Sequence, residues 1–388
     1  MPDFDFAVFV AKFPWTTFGA SVLLSVVATL LLIPVARRIG WVDKPSQRKA
    51  HIGHIPLIGG WAVLVVALVM QFSGPSSMRA PVGYWVGGLL LFFVALIDDR
   101  HPIRARYRAL VQLGAAAAGV MLGGKMLPSI GDVLGIGTVT APWIMLPVSI
   151  IGTVAVINAV NFTDGADGLC GGLSFISLLW FAVALVFASR HAAMLGISPE
   201  PYAAAMVPLA AALAGGVAGF LWFNLRSPLR KKASVFLGDS GSMLLGFTLA
   251  WFAIHATSAY GAASVKPVVC LWIVAVPLAD SASCIVRRIL AGVTPMTPDL
   301  KHLHHLLIRF GMTPGQAVFA IHVGSFCCGL VGVLGWAHGV SEPVLFGAFV
   351  VTLLAFIAWT NLAWRRFDGA EQQVVADKKI RSDDVVSL

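Results

Sequence analysis

The sequence predicts an all-α polytopic integral membrane protein of about eleven transmembrane helices, N-terminus outside and C-terminus cytoplasmic. Three observations predict it: the composition, a series of long apolar stretches, and a one-sided distribution of basic residues. Of 388 residues, 58% are hydrophobic and 12% are charged, against about 25% charged in an ordinary soluble domain. A chain of this length in water would leave more apolar surface than it could cover, so lipid is the fitting solvent. Soluble enzymes, secreted disulfide scaffolds and disordered hubs are excluded. The five cysteines, Cys170, Cys270, Cys284, Cys327 and Cys328, all lie in apolar stretches. They read as small hydrophobes, neither a disulfide framework nor a zinc site.

The apolar stretches fall at 17–39, 57–74, 81–97, 107–124, 142–160, 170–189, 202–223, 241–262, 266–288, 316–337 and 343–364. The first is too long for a cleavable signal and ends at Pro34 and Arg37-Arg38. Alternate loops divide the basic residues unequally, 22 of the 27 Lys and Arg lying on one side. That is the positive-inside pattern, and it makes the rich side cytoplasmic. The net charge of +9 is thereby explained by topology, with no nucleic-acid partner. An N-terminus outside and a C-terminus inside require an odd number of crossings, which eleven satisfies. Residues 1–364 form one membrane domain, and 365–388 a polar cytoplasmic tail of mixed charge, expected as a solvated extension.

Nearly every residue capable of chemistry sits in the cytoplasmic loops: DKPSQRKAH (43–51), DDRHPIRARYR (98–108), NFTDGADG (161–168), NLRSPLRKKASVFLGDSGS (224–242) and TPMTPDLKHLHH (294–305). Acids, amides, bases and imidazoles gathered on one face suit a magnesium–phosphate site. A transporter would instead carry ionisable groups near mid-span. Asp98-Asp99 reads alone either as charges that stop a helix at the interface or as groups serving a cation or a proton. The run Asn158-Ala-Val-Asn161-Phe-Thr-Asp164-Gly165-Ala-Asp167-Gly168-Leu169 sets two amides and two carboxylates among glycines, which permit tight turns near a ligand. Its spacing does not match a calcium EF-hand. Phe236-Leu-Gly238-Asp239-Ser-Gly241-Ser242 follows Arg230-Lys231-Lys232 and opens a span, so Asp239 is an N-cap or a metal ligand beside a phosphate-attracting helix end. His302-Leu-His304-His305 offers imidazoles that can donate to phosphate oxygens, and matches no zinc pattern. His255, His322 and His338 read as packed or interfacial residues, and Asp280 as a structural partner of Arg287 or Arg288.

These five loops, in this order, resemble the polyprenyl-phosphate N-acetylhexosamine-1-phosphate transferase superfamily, glycosyltransferase family 4. The segments VDKPSQRKAHIGHIPLIGG, LIDDR, NAVNFTDGADGLCGGLS, VFLGDSGSMLLGF and TPDLKHLHHLLIRFGMTP carry the likeness from about Val42 to about Pro314. It is greatest to the branch that moves N-acetylglucosamine-1-phosphate from UDP-GlcNAc to undecaprenyl phosphate, releasing UMP and starting a cell-envelope glycan. Another UDP-N-acetylhexosamine or UDP-MurNAc-pentapeptide as donor is the alternative, and a lipid or solute transporter the reading from another class. The resemblance implies magnesium, with manganese as a substitute, held by Asp239 directly and by Asn161. It implies that Asp98 and Asp99 accept a proton from the lipid phosphate, orient it, or reach the metal through water. Asp164 and Asp167 would shape the nucleotide pocket, Asn224 and Phe236 would bond to and stack on uracil, and Asp43 and Lys49 would stand near the nucleotide. His302, His304, His305 and Arg288 would hold the diphosphate or the sugar. It also implies a bacterial inner membrane, an active site facing the cytoplasm, and a chain able to form a homodimer. Two departures stand out: Arg106 occupies the place of a usual Lys, and Thr163 that of an apolar residue.

Overall fold

The computed structural model describes residues 6–43, 53–73, 80–226, 230–294 and 301–386, with side chains through 367. A short helix α1 (Phe6–Lys12) precedes α2 (Trp15–Arg38). Two two-residue strands, β1 (Val42–Asp43) and β2 (Ile55–Pro56), pair antiparallel with Asp43 opposite Ile55. The bundle continues with α3 (Gly59–Ser73), α4 (Val82–Arg100), α5 (Ala105–Met121), α6 (Pro142–Phe162), α7 (Leu169–Met194), α8 (Ala203–Asn224) and α9 (Gly238–Ala256). It closes with α10 (Pro267–Ile273), α11 (Ala275–Leu290), α12 (Leu303–Arg309), α13 (Pro314–Ala337) and α14 (Glu342–Val386). Start signals are local: proline occupies the first turn of α6, α10 and α13, where its missing N–H costs no bond. Thr313 and Gln316 complete a capping box on α13.

Each of the eleven predicted segments coincides with a helix or, at 266–288, with a pair. Seven helices among the described residues are long and apolar enough to cross a membrane: α2, α4, α6, α7, α8, α13 and the part of α14 through Phe367. The pair ending in α11 makes an eighth if taken as one span, bent by 48°. The other three predicted segments fall short. Helix α3 has 15 residues and α5 has 17, while α9 spends its first turn on the polar Gly-Asp-Ser-Gly-Ser. In the tail the backbone continues α14 to Val386. From Arg365 to Val386 the sequence has no proline and only Gly369 to interrupt helix formers such as Ala, Glu, Gln, Lys and Arg.

Burial separates centre from periphery. Of the apolar window of α7, 83% is buried, against 17% in α2 and in α14, whose exposed Leu31, Val351 and Leu354 suit contact with lipid chains. Helix α9 is central, touching α3, α4, α6, α7 and α8. A Cβ on Gly60 would lie 2.6 Å from the Gly241 nitrogen, so only glycine lets α3 and α9 start side by side. Strand β2 extends this junction, since Pro56 O accepts the Phe236 N–H (2.9 Å) and Phe236 O accepts the Gly59 N–H (3.0 Å). With the Gly60 N–H donating to Leu237 O (3.1 Å), three backbone hydrogen bonds tie the two residues before α9 to β2 and the start of α3.

Candidate active site

Alternating helix direction brings the C-terminal ends of α4, α6 and α8 to the same end of the bundle as the N-terminal ends of α5, α7 and α9. There Asp98 Oδ1 accepts the Ile103 N–H (2.6 Å), and Asp98 Oδ2 pairs with Arg108 Nη1 at 3.0 Å. The same Arg108 nitrogen lies 3.7 Å from Asp239 Oδ2. Asp99 Oδ1 accepts the Asp239 N–H (2.8 Å), and its Oδ2 accepts the Ser240 hydroxyl (3.1 Å). An acid from α4 therefore caps the positive end of α9. Gly238 has φ +78°, and a Cβ there would meet the Asp99 carboxylate at 2.9 Å, which excludes other residues from the turn. Asn161 Nδ2 donates to Asp239 Oδ1 (3.0 Å) and to Ser242 Oγ (2.9 Å).

Asp98, Asp99, Asn161 and Asp239 are thus one connected network drawn from three helices. Within it the acids differ in freedom. The Asp98 side chain is 6% exposed and committed to two partners, while that of Asp239 is 35% exposed. Asp239 is the carboxylate an incoming ligand can reach. An open carboxylate beside an amide suits magnesium, which takes few protein ligands and completes its shell with water and substrate phosphate.

A second group binds two loops together. Asn224 Oδ1 accepts the Gly168 N–H and its Nδ2 donates to Val235 O, both at 2.8 Å. Asp167 Oδ2 accepts from Arg226 Nε (2.7 Å) and from the Ala233 N–H (3.2 Å). These side chains fix the 163–168 turn against the segment leading to the half-buried Phe236. The Asp164 N–H returns to Asn161 O (3.1 Å), closing that turn on the network. Asp43 sits in β1, one strand from the Phe236 bridge. Lys49 lies outside the described residues.

The histidines form the third group. The His302 ring lies 6.0 Å from Phe162, and the Arg288 guanidinium lies 5.7 Å over the same ring, so both adjoin the residue after Asn161. His304 stacks near-parallel on His302 (6.1 Å between centroids, 10°) and lies 4.0 Å from His305. His304 is buried, and its Nε2 has no hydrogen-bond partner among the described residues. A Cβ on Gly165 would stand 3.2 Å from it, so this imidazole faces the Asn161–Gly168 turn. Burial and the neighbouring His305 push its pKa down to about 3, keeping it neutral. For His302 burial is again the largest single influence and works the same way, but the hydrogen bonds and charge attraction of Asp280 and Cys284 together outweigh it and lift the pKa to about 10.

The match to known proteins agrees with this geometry. The family model described as Glycosyl transferase family 4 covers residues 81–257. A Haemophilus influenzae protein named undecaprenyl-phosphate alpha-N-acetylglucosaminyl 1-phosphate transferase is 36% identical over 87% of this chain and 91% of its own. Proteins of the same name from Pasteurella multocida (34% identical; 88% of this chain, 94% of theirs) and Escherichia coli K12 (32%; 85% and 86%) are similar over almost the same extent. The chain belongs to glycosyl transferase family 4.

In this glycosyl transferase several site residues went unread in the sequence. Arg106, singled out there, turns to its own neighbour, with Nη2 3.0 Å from the Tyr107 hydroxyl. Arg108 enters the acid network instead. The signal was its spacing: Arg108 and Gln112 share a helix face, and Gln112 exchanges amide bonds with Asn158 (2.8 and 3.2 Å) one turn before Asn161. Asp280 is the second correction. Its carboxylate bonds to His302 and the Leu303 N–H, not to Arg287 or Arg288, because the start of α12 packs against α11 at that point.

Proposed function

We propose that this chain transfers N-acetylglucosamine-1-phosphate from UDP-GlcNAc to undecaprenyl phosphate, releasing UMP. The observation that carries this reading is the convergence of Asp98, Asp99, Asn161, Asp239 and the histidine helix at one end of an apolar bundle. An oxygen of the lipid phosphate forms a bond to the sugar-bearing phosphorus as the bond from that phosphorus to the bridging oxygen breaks. UMP leaves with the bridging oxygen, so one phosphoanhydride replaces another. A phosphate monoester is already ionised near neutral pH, so no strong base is required.

Asp239 and Asn161 would hold magnesium, and manganese could replace it. When bound, the ion supplies positive charge to the substrate phosphates. Asp99 fixes the first turn of α9, and thereby the backbone that carries Asp239. Asp98, its side chain buried, pairs with the partly exposed Arg108, leaving Asp239 more open than Asp98. His304, neutral and unpaired, can donate to a substrate oxygen, and Arg288 offers a fixed cation near Phe162. Asp164, Asp167, Asn224 and Phe236 frame the nucleotide side, the first three by fixing loops and the last by presenting an aromatic face.

The positive-inside count supports eleven crossings in a bacterial inner membrane with this end facing the cytoplasm. There it would meet a water-soluble nucleotide sugar, while the lipid acceptor arrives sideways from the bilayer.

A donor panel tests the reading. Purified protein is given undecaprenyl phosphate and UDP-GlcNAc, UDP-GalNAc or UDP-MurNAc-pentapeptide, and the lipid product is identified by chromatography. The expected outcome is UMP release and a lipid-linked sugar with UDP-GlcNAc. Preference for another donor corrects the sugar. Flux across sealed vesicles with no UMP release from any donor refutes the transferase.

A further inference from the structure

Asp280 lies outside the acid network, in α11, with only 6% of its surface exposed. A carboxylate buried among apolar helices must have partners for both oxygens. Asp280 Oδ2 lies 2.8 Å from His302 Nδ1, and Oδ1 accepts the Leu303 N–H at 2.8 Å. Leu303 is the first residue of α12, the helix that carries His304 and His305. One carboxylate therefore sets the ring orientation of His302 and the position of the next two imidazoles. With Nδ1 turned to Asp280, the opposite ring nitrogen, Nε2, is directed away from that carboxylate.

We propose that Asp280 is a positioning residue that holds His302 as a cation, with its Nε2–H presented to the diphosphate of the nucleotide sugar. This rests on the transferase reading. The carboxylate–imidazole contact fixes which nitrogen is committed and which can donate, as second partners do for histidine generally. A cationic donor makes shorter, stronger hydrogen bonds to phosphate oxygens than a neutral one.

A metal is the competing assignment, since single ligand atoms of Asp280, Cys284 and His302 lie within 4.8 Å of one another. Two contacts oppose it. Arg287 Nη2 is 3.2 Å from Cys284 Sγ, placing a fixed positive charge where a cation would bind, and the same nitrogen also donates to Lys301 O. His302 Nδ1, the nitrogen such an ion would need, is already bonded to Asp280. Among the described residues, the ionisable groups around His302 are Asp280, Cys284, Arg287 and Arg288 on α11 and Lys301, His304 and His305 on its own segment; α6 contributes Phe162, which does not titrate, and α14 contributes Trp364, over which Arg287 and Lys301 lie. Asp280 is the only carboxylate among those described residues. Without its charge, burial, the largest single influence on the imidazole, is opposed only by Cys284 and favours the neutral form.

The test uses the full chain in detergent with UDP-GlcNAc and undecaprenyl phosphate, with rates measured from pH 6.5 to 9. Asp280→Asn keeps an oxygen for the Leu303 N–H and removes the charge. It should lose tenfold or more in kcat at pH 8, with KM for undecaprenyl phosphate within twofold of wild type. Its rate should fall as pH rises from 6.5 to 8, where wild type stays flat. His302→Gln should lose as much, and the double variant no more than either, because the two act as one unit. If Asp280→Asn does not fold, Asp280→Glu takes its place and should retain the flat profile. A wild-type rate and profile in Asp280→Asn, additive losses in the double variant, or stoichiometric zinc that Cys284→Ser removes would each overturn the proposal. Absence of turnover in wild type would instead count against the transferase reading.

Discussion

The two ends of the bundle treat charge differently. At the end away from the site, acids and bases meet in matched pairs: Lys125 with Glu200 at 3.2 Å, and Lys266 with Glu342 at 3.7 Å. At the site, Asp98 and Asp239 share a single guanidinium while Asp99 caps the helix that carries Asp239, and Asp239 remains a third exposed. A matched pair near the surface needs nothing more and adds little stability. Two acids on one base, with a third acid at the same helix end, leave a negative excess that an added cation relieves. Unbalanced charge, more than abundant charge, marks where a ligand belongs.

The largest effect should follow from removing the open member of the unbalanced set. Asp239→Ala is expected to lower transfer by about a thousandfold or more, while the thermal melting point of the purified protein stays close to wild type. Stripping divalent metal with EDTA should be as severe, and magnesium should restore the rate. Transfer that survives both treatments would remove the contrast between the ends.

Arg108 comes next. It joins Asp98 to Asp239 without being the accessible group, so Arg108→Ala should cost about ten- to a hundredfold in kcat, the range typical of groups that orient a metal ligand. Arg108→Lys retains charge but not the reach to both acids, and should recover only part. Arg106→Ala, on an exposed residue turned to Tyr107, should leave the rate nearly unchanged. Equal losses at the two positions would show that proximity to the acids is not what matters.

Those two arginines show how far the sequence could be read. Apolar runs placed the long helices, and polar loops on alternate sides placed the site at one end, because hydropathy and basic-residue counts follow directly from solvation. The motif residues Asp98, Asp99, Asn161 and Asp239 also met as a group. What the linear sequence did not reveal was pairing across helices. Choosing Arg108 over Arg106 requires the rotation of α5, a single angle that no loop motif carries. Asp280 was assigned to nearby arginines because they were near in sequence, whereas its partner lies 22 positions on, at the start of α12. The bend at Val274 was hidden for the same reason: the residues there remain apolar on both sides of the break.

A smaller effect should appear in stability against pH. His302 has its pKa raised from 6.5 to about 10, so its stabilisation is complete below 6.5 and lost as pH climbs toward 10. His304 has its pKa lowered from 6.5 to about 3, so its stabilisation is complete above 6.5 and lost as pH falls toward 3. The two contributions therefore fall away on opposite sides of pH 6.5. His302→Gln should flatten the alkaline side only, and His304→Gln the acidic side only. A melting curve whose two sides respond equally to either change would mean that the imidazoles do not sit in the opposed environments described here.

The smallest effect belongs to the balanced end. Glu200→Gln removes one half-exposed ion pair and should cost no more than about 1 kcal/mol, with transfer unchanged. Lys125→Met should cost slightly more, since the ammonium also lies 5.3 Å over the Tyr202 ring and loses that attraction too. The double variant separates the contributions: if Lys125 acts on Glu200 and Tyr202 independently, it should match Lys125→Met alone, because the ion pair is already gone. A fall in transfer from either substitution would carry the site's electrostatics across the whole bundle and dissolve the distinction between its ends.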